Sequence, residues 1–320
     1  MWYTIYAIHF FMKYINEIQY NGLLWVNITK PEEKILKSVQ KRFGLNDQEV
    51  KESMPSFQRP KFIKRDNYYF LVLHFPVFDR VSRRLGFTEV DFFLSGTSLI
   101  TVHDNSLPVL EDFFAQCAKK AEAQNAFFKG TAAHVFFELL NRLLESIFPI
   151  LLHVNEDISS IDKILFTRIP DRKMAEEILR LKMNVTNFRR AMQSHKTVMD
   201  RLVSMGGRDL DLASYQIYIN TVRDHINDIW HTLESQKESA DTLDETNESV
   251  VGLRMNEIMK TLTIISVTTF PLTLITTIFA VHAGGTPFVE HPYGFWIISG
   301  MTLIGALAMI LVFKVKKWMD

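Results

Sequence analysis

The chain has 320 residues, with Lys+Arg and Asp+Glu balanced at 36 each, a net charge of +0 and one cysteine, Cys117. That balance excludes a nucleic-acid partner, because no segment carries the basic excess that phosphate binding requires. A lone cysteine excludes an internal disulfide and any CxxC metal site, and fits soluble parts kept in a reducing compartment.

The first twelve residues, Met1 to Met12, are apolar but have no basic stretch before them and no small-residue cleavage site. They predict a strand or packing segment and not a signal peptide. Leu23 to Ile28 reads as a strand. Thr29-Lys30-Pro31-Glu32 then reads as a capping box with proline in the first turn, opening a helix through Phe43. Tyr68 to Phe78, Phe87 to Leu94 and Ser98 to His103 are rich in aromatic and β-branched residues and are divided by turn formers such as Ser95-Gly96. Residues 1–105 therefore predict an α/β domain with a mainly antiparallel or mixed sheet.

From Leu107 the pattern turns helical. Helices are predicted over Thr131 to Phe166, with a bend at Pro149, and over Arg172 to Met205, stopped by Gly206-Gly207. Leu212, Tyr215, Ile219, Val222, Ile226, Ile229 and Leu233 then recur at alternating steps of three and four, and Ala240, Leu243 and Val250 continue the seam weakly. No proline stands between Leu210 and Phe270, so a stalk helix beginning near residue 209 can run unbroken to Val281, about 100 Å at 1.5 Å per residue. Its seam must pack either on helices of the same chain or on copies of itself. Residues 106–255 thus form a helical region.

Residues 256–320 hold two uncharged stretches, at about 261–282 and 292–313, each long enough for a hydrocarbon core about 30 Å thick. They predict a transmembrane hairpin. Arg254 and Lys260 precede the first span and Lys314, Lys316 and Lys317 follow the second, while the connection carries only Glu290, so both termini are expected on the cytoplasmic side. Trp296 and Trp318 suit the two interfaces.

Continued into the membrane, the seam's spacing gathers Asn256, Met259, Thr263, Ser266, Phe270, Thr273 and Thr277 on one face. Such a stripe suits a water-filled path around a symmetry axis. The other reading is that these hydroxyls bond the carbonyl one turn back, as intramembrane hydroxyls commonly do. Two spans cannot enclose a pore alone, so conduction requires self-assembly.

Asn256 to Ile265, then Pro271-Leu272-Thr273, then the second span ending in Lys316-Lys317-Trp318, resemble the CorA family of divalent-cation transporters, which includes magnesium channels and zinc transporters. Asp224-His225, Leu99 to His103 and the order of α/β part and helices agree. The resemblance implies an α+β cytoplasmic domain with long helices leading into a two-helix hairpin, assembled as a pentameric funnel in the cell (inner) membrane. It also implies a pore lined by the first span, with Asn256 as a polar ring at its cytoplasmic mouth. Mg²⁺, or Zn²⁺, Ni²⁺ or Co²⁺, is the transported or regulatory ion that it suggests, and no cofactor is called for.

The departures are as informative. The family's Gly-Met-Asn signature falls on Ala280-Val281-His282, with none of the three kept. Of its Met-Pro-Glu-Leu loop only Pro287 remains, with Phe288 at the glutamate position, and Thr221 stands where magnesium-sensing members carry aspartate. A ring of amide oxygens holds hydrated Mg²⁺ without stripping it, whereas neutral imidazole is an inner-sphere ligand for Zn²⁺, Ni²⁺, Co²⁺ or Cu²⁺. Two readings of His282 stand: a mostly neutral imidazole ring assisted by Glu290 and His291, or the wet end of a helix whose filter is lost. Two functions follow, a homopentameric cation channel of altered selectivity or a non-conducting membrane protein whose cytoplasmic domain senses metal or binds partners. No nucleophile with a base and no catalytic carboxylate cluster indicates an enzyme. His134, His153, His195, His225 and His231 lie at no ligand spacing. Gly284-Gly285 is a loop break, and Glu234, Glu238, Asp241, Asp244, Glu245 and Glu248 read as a solvated helix face or a means of concentrating cations.

Overall fold

The computed structural model describes residues 11–12, 14–54, 57–79, 81–165, 171–281, 286–288 and 291–316. All but two of the first twelve residues, whose role was expected to be a strand or packing segment, lie outside this set. So do His282, Gly284, Gly285, Glu290, Lys317 and Trp318.

Seven strands form one sheet: β1 Phe11–Met12, β2 Ile15–Tyr20, β3 Leu23–Ile28, β4 Lys61–Lys64, β5 Tyr69–Asp79, β6 Arg84–Leu94 and β7 Ser98–His103. Their order is β1-β2-β3-β7-β6-β5-β4, with β3 and β7 parallel and every other pair antiparallel. The β2–β3 hairpin turns on Asn21 (φ 49) and Gly22 (φ 79), the left-handed pair a tight two-residue hairpin demands.

Alternation along the strands gives the sheet two apolar faces. Trp25, Leu71, Leu73, Val90, Phe92 and Leu94 face one way, into a core shared with the helices that follow. Val26, Ile28, Phe70, Val72, Phe93, Ile100 and Val102 face the other way, beneath α1 (Glu33–Phe43) and α2 (Asp47–Glu52). The capping box is not formed. α1 begins after Glu32, whose backbone is extended and whose side chain caps nothing, while Lys30 pairs with Glu32 at 2.9 Å.

The helices are α3 Pro108–Lys119, α4 Ala121–Phe127, α5 Ala132–Glu145, α6 Phe148–Leu165, α7 Arg172–Met192 and α8 His195–Met205. Pro149 does more than bend the first predicted helix. It occupies the second position of α6, where no intrahelical N–H is needed, and the helix breaks between Glu145 and Phe148. A second break separates α7 from α8 at Gln193-Ser194. Gly206 and Gly207 are needed for space: a Cβ on Gly207 would lie 2.8 Å from the Tyr69 hydroxyl, which accepts the Gly207 N–H at 2.7 Å.

Two short 3-10 turns, Arg208–Leu210 and Leu212–Tyr215, precede α9, Gln216–Ala280, a helix of 65 residues. Its seam packs on the chain's own core: Ile219, Val222, Ile229 and Leu233 are fully buried there, with Tyr215, Ile226, Ala240 and Leu243 nearly so. A coiled coil with copies of itself is therefore not what the seam builds. Part of the acidic face is also engaged, since Lys182 of α7 holds Asp241 and Asp244 at 3.2 and 2.6 Å and Arg189 holds Glu234 at 2.5 Å.

Two compact units result, Met1–Asp244 and Glu245–Asp320, with the boundary inside α9. Among the described residues no group of three His, Cys, Asp or Glu side chains converges as a metal site. His195, fully buried edge-on to Phe75, is an interior residue, and burial pushes its imidazole down to about 4, with the nearby His74 adding to the effect.

Candidate ion path

The second unit pairs the C-terminal part of α9 with α10, Gly294–Val315, and both are long and apolar enough to cross a bilayer. α10 carries half-buried Ile298, Thr302, Gly305 and Met309 on one face, at steps of three and four, with half-buried Ala306 beside them. A Cβ added to Gly305 would touch Leu272 of α9 at 3.4 Å, so the small residue permits close helix approach. Half-buried Ile264, Thr268, Leu272, Ile275 and Phe279 of α9 likewise share one face.

The predicted stripe lies on the opposite side of α9, at 3.6 residues per turn. Asn256, Met259, Thr263, Phe270, Thr273 and Thr277 are exposed and Ser266 is half-buried. Phe270 is 73% exposed, although it sits in the middle of an apolar span. Toward the cytoplasmic end expected for the span, Val251, Leu253, Met255 and Ile258 are also exposed. These apolar side chains have no cover within their own unit.

The hydroxyls bond as the competing reading expects. Thr263 donates to the Met259 carbonyl at 2.7 Å, Thr273 to Thr269 at 2.9 Å and Thr277 to Thr273 at 2.7 Å. Thr261, Thr268 and Thr276, on other faces, do the same. This does not silence the stripe. A hydroxyl whose proton is committed to a carbonyl turns only its acceptor lone pairs outward, which is the polarity that a cation or its hydration shell meets favourably. Pro271, inside the helix, has no N–H to offer the Val267 carbonyl four residues back.

At the C-terminal end of α9 Ala280 is the last helical residue and exposed Val281 follows. Thr286 donates back to the Val281 carbonyl at 3.3 Å, and Phe288 takes a positive φ of 72. His291 is exposed, its Nδ1 accepting the Tyr293 N–H at 3.2 Å. His282 and Glu290, the other expected outer-mouth residues, are not among the described residues.

Residues 20–317 match the family model of the CorA-like Mg²⁺ transporter protein. The chain belongs to the CorA-like Mg²⁺ transporter family. It is 23% identical over 297 residues to the cobalt/magnesium transport protein CorA of Thermotoga maritima, covering 92% of this chain and 83% of that one. The complete structure of the CorA magnesium transporter from Methanocaldococcus jannaschii superposes with a TM-score of 0.76 at 16% identity, covering 92% and 91% of the two chains. A ZntB cytoplasmic domain from Vibrio parahaemolyticus gives 0.58 at 11% identity, covering 77% of this chain and 97% of that one. The α+β part, the long helix and the apolar helix pair are thus the CorA fold, and the chain is a membrane protein of an ion-transport family.

The sheet of this CorA-family chain also buries a carboxylate. Asp91 stands in the strand run Val90-Asp91-Phe92-Phe93, paired in register with Val72 on β5 and Val102 on β7, and is 2% exposed. The signal for it is a carboxylate where alternation calls for a core residue.

Proposed function

We propose that the chain assembles as a homopentamer in the cell membrane and conducts divalent cations along the α9 stripe, with an outer mouth altered from the magnesium-selecting form. The observation that carries this reading is the stripe itself, which presents exposed Asn256, Thr263, Thr273 and Thr277 on the side of α9 away from the face turned to α10. The uncovered apolar residues between Val251 and Ile258 support self-association, since an obligate partner along that stretch removes them from water. Functionally the chain divides into residues 1–105 as the α/β domain, 106–255 as the helical region with its stalk and 256–320 as the hairpin, with both termini cytoplasmic.

Along the path, threonine oxygens at 263, 273 and 277 form acceptor rings, and Phe270 forms an apolar constriction between them of the kind that gates by dewetting. Asn256 closes the cytoplasmic mouth with amides. Ala280, Val281 and His282 replace the filter. Without the asparagine amides, hydrated Mg²⁺ loses its outer hydrogen-bond partner, and a His282 imidazole ring, with Glu290 and His291 nearby in sequence, favours Zn²⁺, Ni²⁺ or Co²⁺.

Uptake of Mg²⁺, Zn²⁺, Ni²⁺ and Co²⁺ into liposomes carrying the purified protein tests the reading. Transition-metal uptake is expected to fall about tenfold or more in His282→Ala, and Mg²⁺ uptake to rise in His282→Asn. Unchanged uptake in His282→Ala removes the ligand role. The absence of all three Gly-Met-Asn residues favours the second reading, a non-conducting protein with a sensing or partner-binding cytoplasmic domain, and failure of the wild-type chain to carry any of the four ions selects it.

A further inference from the structure

On the α1/α2 side of the sheet a cavity of about 350 Å³ opens among Asp91, Glu89, Asp104, Met54, Phe57 and Val102. We propose that this cavity binds a small organic cation, an alkylammonium or guanidinium compound, with the Asp91 carboxylate as its counter-ion.

Asp91 carries the argument. It is 2% exposed, and its Oδ1 has no hydrogen-bond partner, which is costly for a group buried between two valine-bearing strands. Its surroundings are acidic. Glu89 neighbours it on the same strand face, and its Oε2 accepts the Gln58 N–H at 2.5 Å and lies 3.4 Å from His74. Asp104 accepts from the Thr88 hydroxyl and the Ser106 N–H, at 2.8 and 3.0 Å.

The nearby cations are committed elsewhere: Lys61 to Glu52 at 2.5 Å, Arg65 to Glu49 at 2.6 Å and Lys30, on the cavity wall, to Glu32 at 2.9 Å. His103, also on the wall, is engaged by Asn27 at 2.9 Å and by Glu111 at 3.3 Å. Three carboxylates therefore line the cavity, and its one lysine is held by a fourth.

Size and wall chemistry select the class of cation. A cavity of about 350 Å³ holds roughly twelve waters at ~30 Å³ each, or a ligand of the same bulk, and falls in the range of small-molecule sites. A bare metal ion needs converging ligands, and no such group of three exists among the described residues. Met54, Val102, Pro31 and the Phe57 ring supply apolar walls and an aromatic face that suit an alkyl chain with a cationic head.

Ionisation is linked to occupancy. Burial, with the charge of Glu89 adding and Ser53 and Lys61 opposing, holds the Asp91 carboxyl well above the usual carboxylate range. An ammonium docking on Oδ1 favours the carboxylate, so the carboxyl proton passes to the buffer as the cation binds.

Calorimetric titration of the full-length protein in detergent with putrescine, spermidine and agmatine, against MgCl₂ and succinate, tests the site without reference to flux. At least one of the three organic cations is expected to bind with one site per chain, tightening as pH rises, and to weaken at least about tenfold in Asp91→Asn. Glu89→Gln, a change at the partly exposed wall, is expected to weaken it severalfold and serves as the test should Asp91→Asn not fold. Binding that is absent for all three cations, equal in the variants, or abolished by equimolar Mg²⁺ overturns the proposal.

Discussion

Replacing Thr273 by lysine is expected to cut divalent-cation flux by at least about a hundredfold while leaving the oligomer intact. Thr273 lies on the exposed stripe near the middle of the first apolar span, and its hydroxyl proton is already committed to the Thr269 carbonyl, so only acceptor lone pairs are lost with it. The substitution puts one ammonium per subunit on the path. An ammonium and a divalent cation ~10 Å apart repel by about 1.7 kcal/mol at an effective dielectric near 40, and two such pairs already exceed a hundredfold at ~1.4 kcal/mol per factor of ten. Thr273→Ser keeps the acceptor and is expected to keep most of the flux. Uptake into liposomes reads both variants, with light scattering as the control for assembly.

Replacing Ile229 by alanine is expected to lower unfolding stability by about 2–5 kcal/mol, since a fully buried isoleucine is truncated in a packed core. Urea or thermal unfolding of the full-length protein reads this as a shifted midpoint. The partner of Ile229 is its own chain, so the oligomeric state under native conditions is expected to be unchanged. Dissociation into folded monomers in this variant would place the seam between subunits.

The sequence was legible where one physical signal dominated. β3 and β7 lie where the apolar runs predicted them, because both are buried on two faces in the middle of the sheet. β2 was not anticipated, although Asn21-Gly22 between two strand-like runs is a strong hairpin signal. The two helix breaks are not legible in the sequence, for different reasons: Pro149 is compatible with either a bend or a new first turn, and Gln193-Ser194 has no breaker at all. The seam's period showed that α9 has a long apolar stripe but could not show what covers it, because a core helix and a coiled coil share that spacing. The residues of the stripe share one face by the same periodicity, and the structure adds that this face lies opposite the α10-facing side; its role as a pore lining is the proposal. Asp91 was unreadable in function because one carboxylate in a strand gains meaning only when Val72 and Val102 are known to flank it.

The central claim, that the stripe on α9 lines the ion path, can be probed with introduced cysteines. Cys117 is buried, and burial pushes its thiol up to about 12, so it stays unreactive while a new thiol is modified. Single cysteines at Thr263, Thr273 and Thr277 would be treated with a charged thiosulfonate during divalent-cation uptake and compared with cysteines at Ile265, exposed off the stripe, and Ile275, on the α10-facing side. The prediction is rapid block at the three stripe positions, slowed by the permeant ion, and no effect at the other two. Equal block at all five, or block at Ile265 alone, would contradict it.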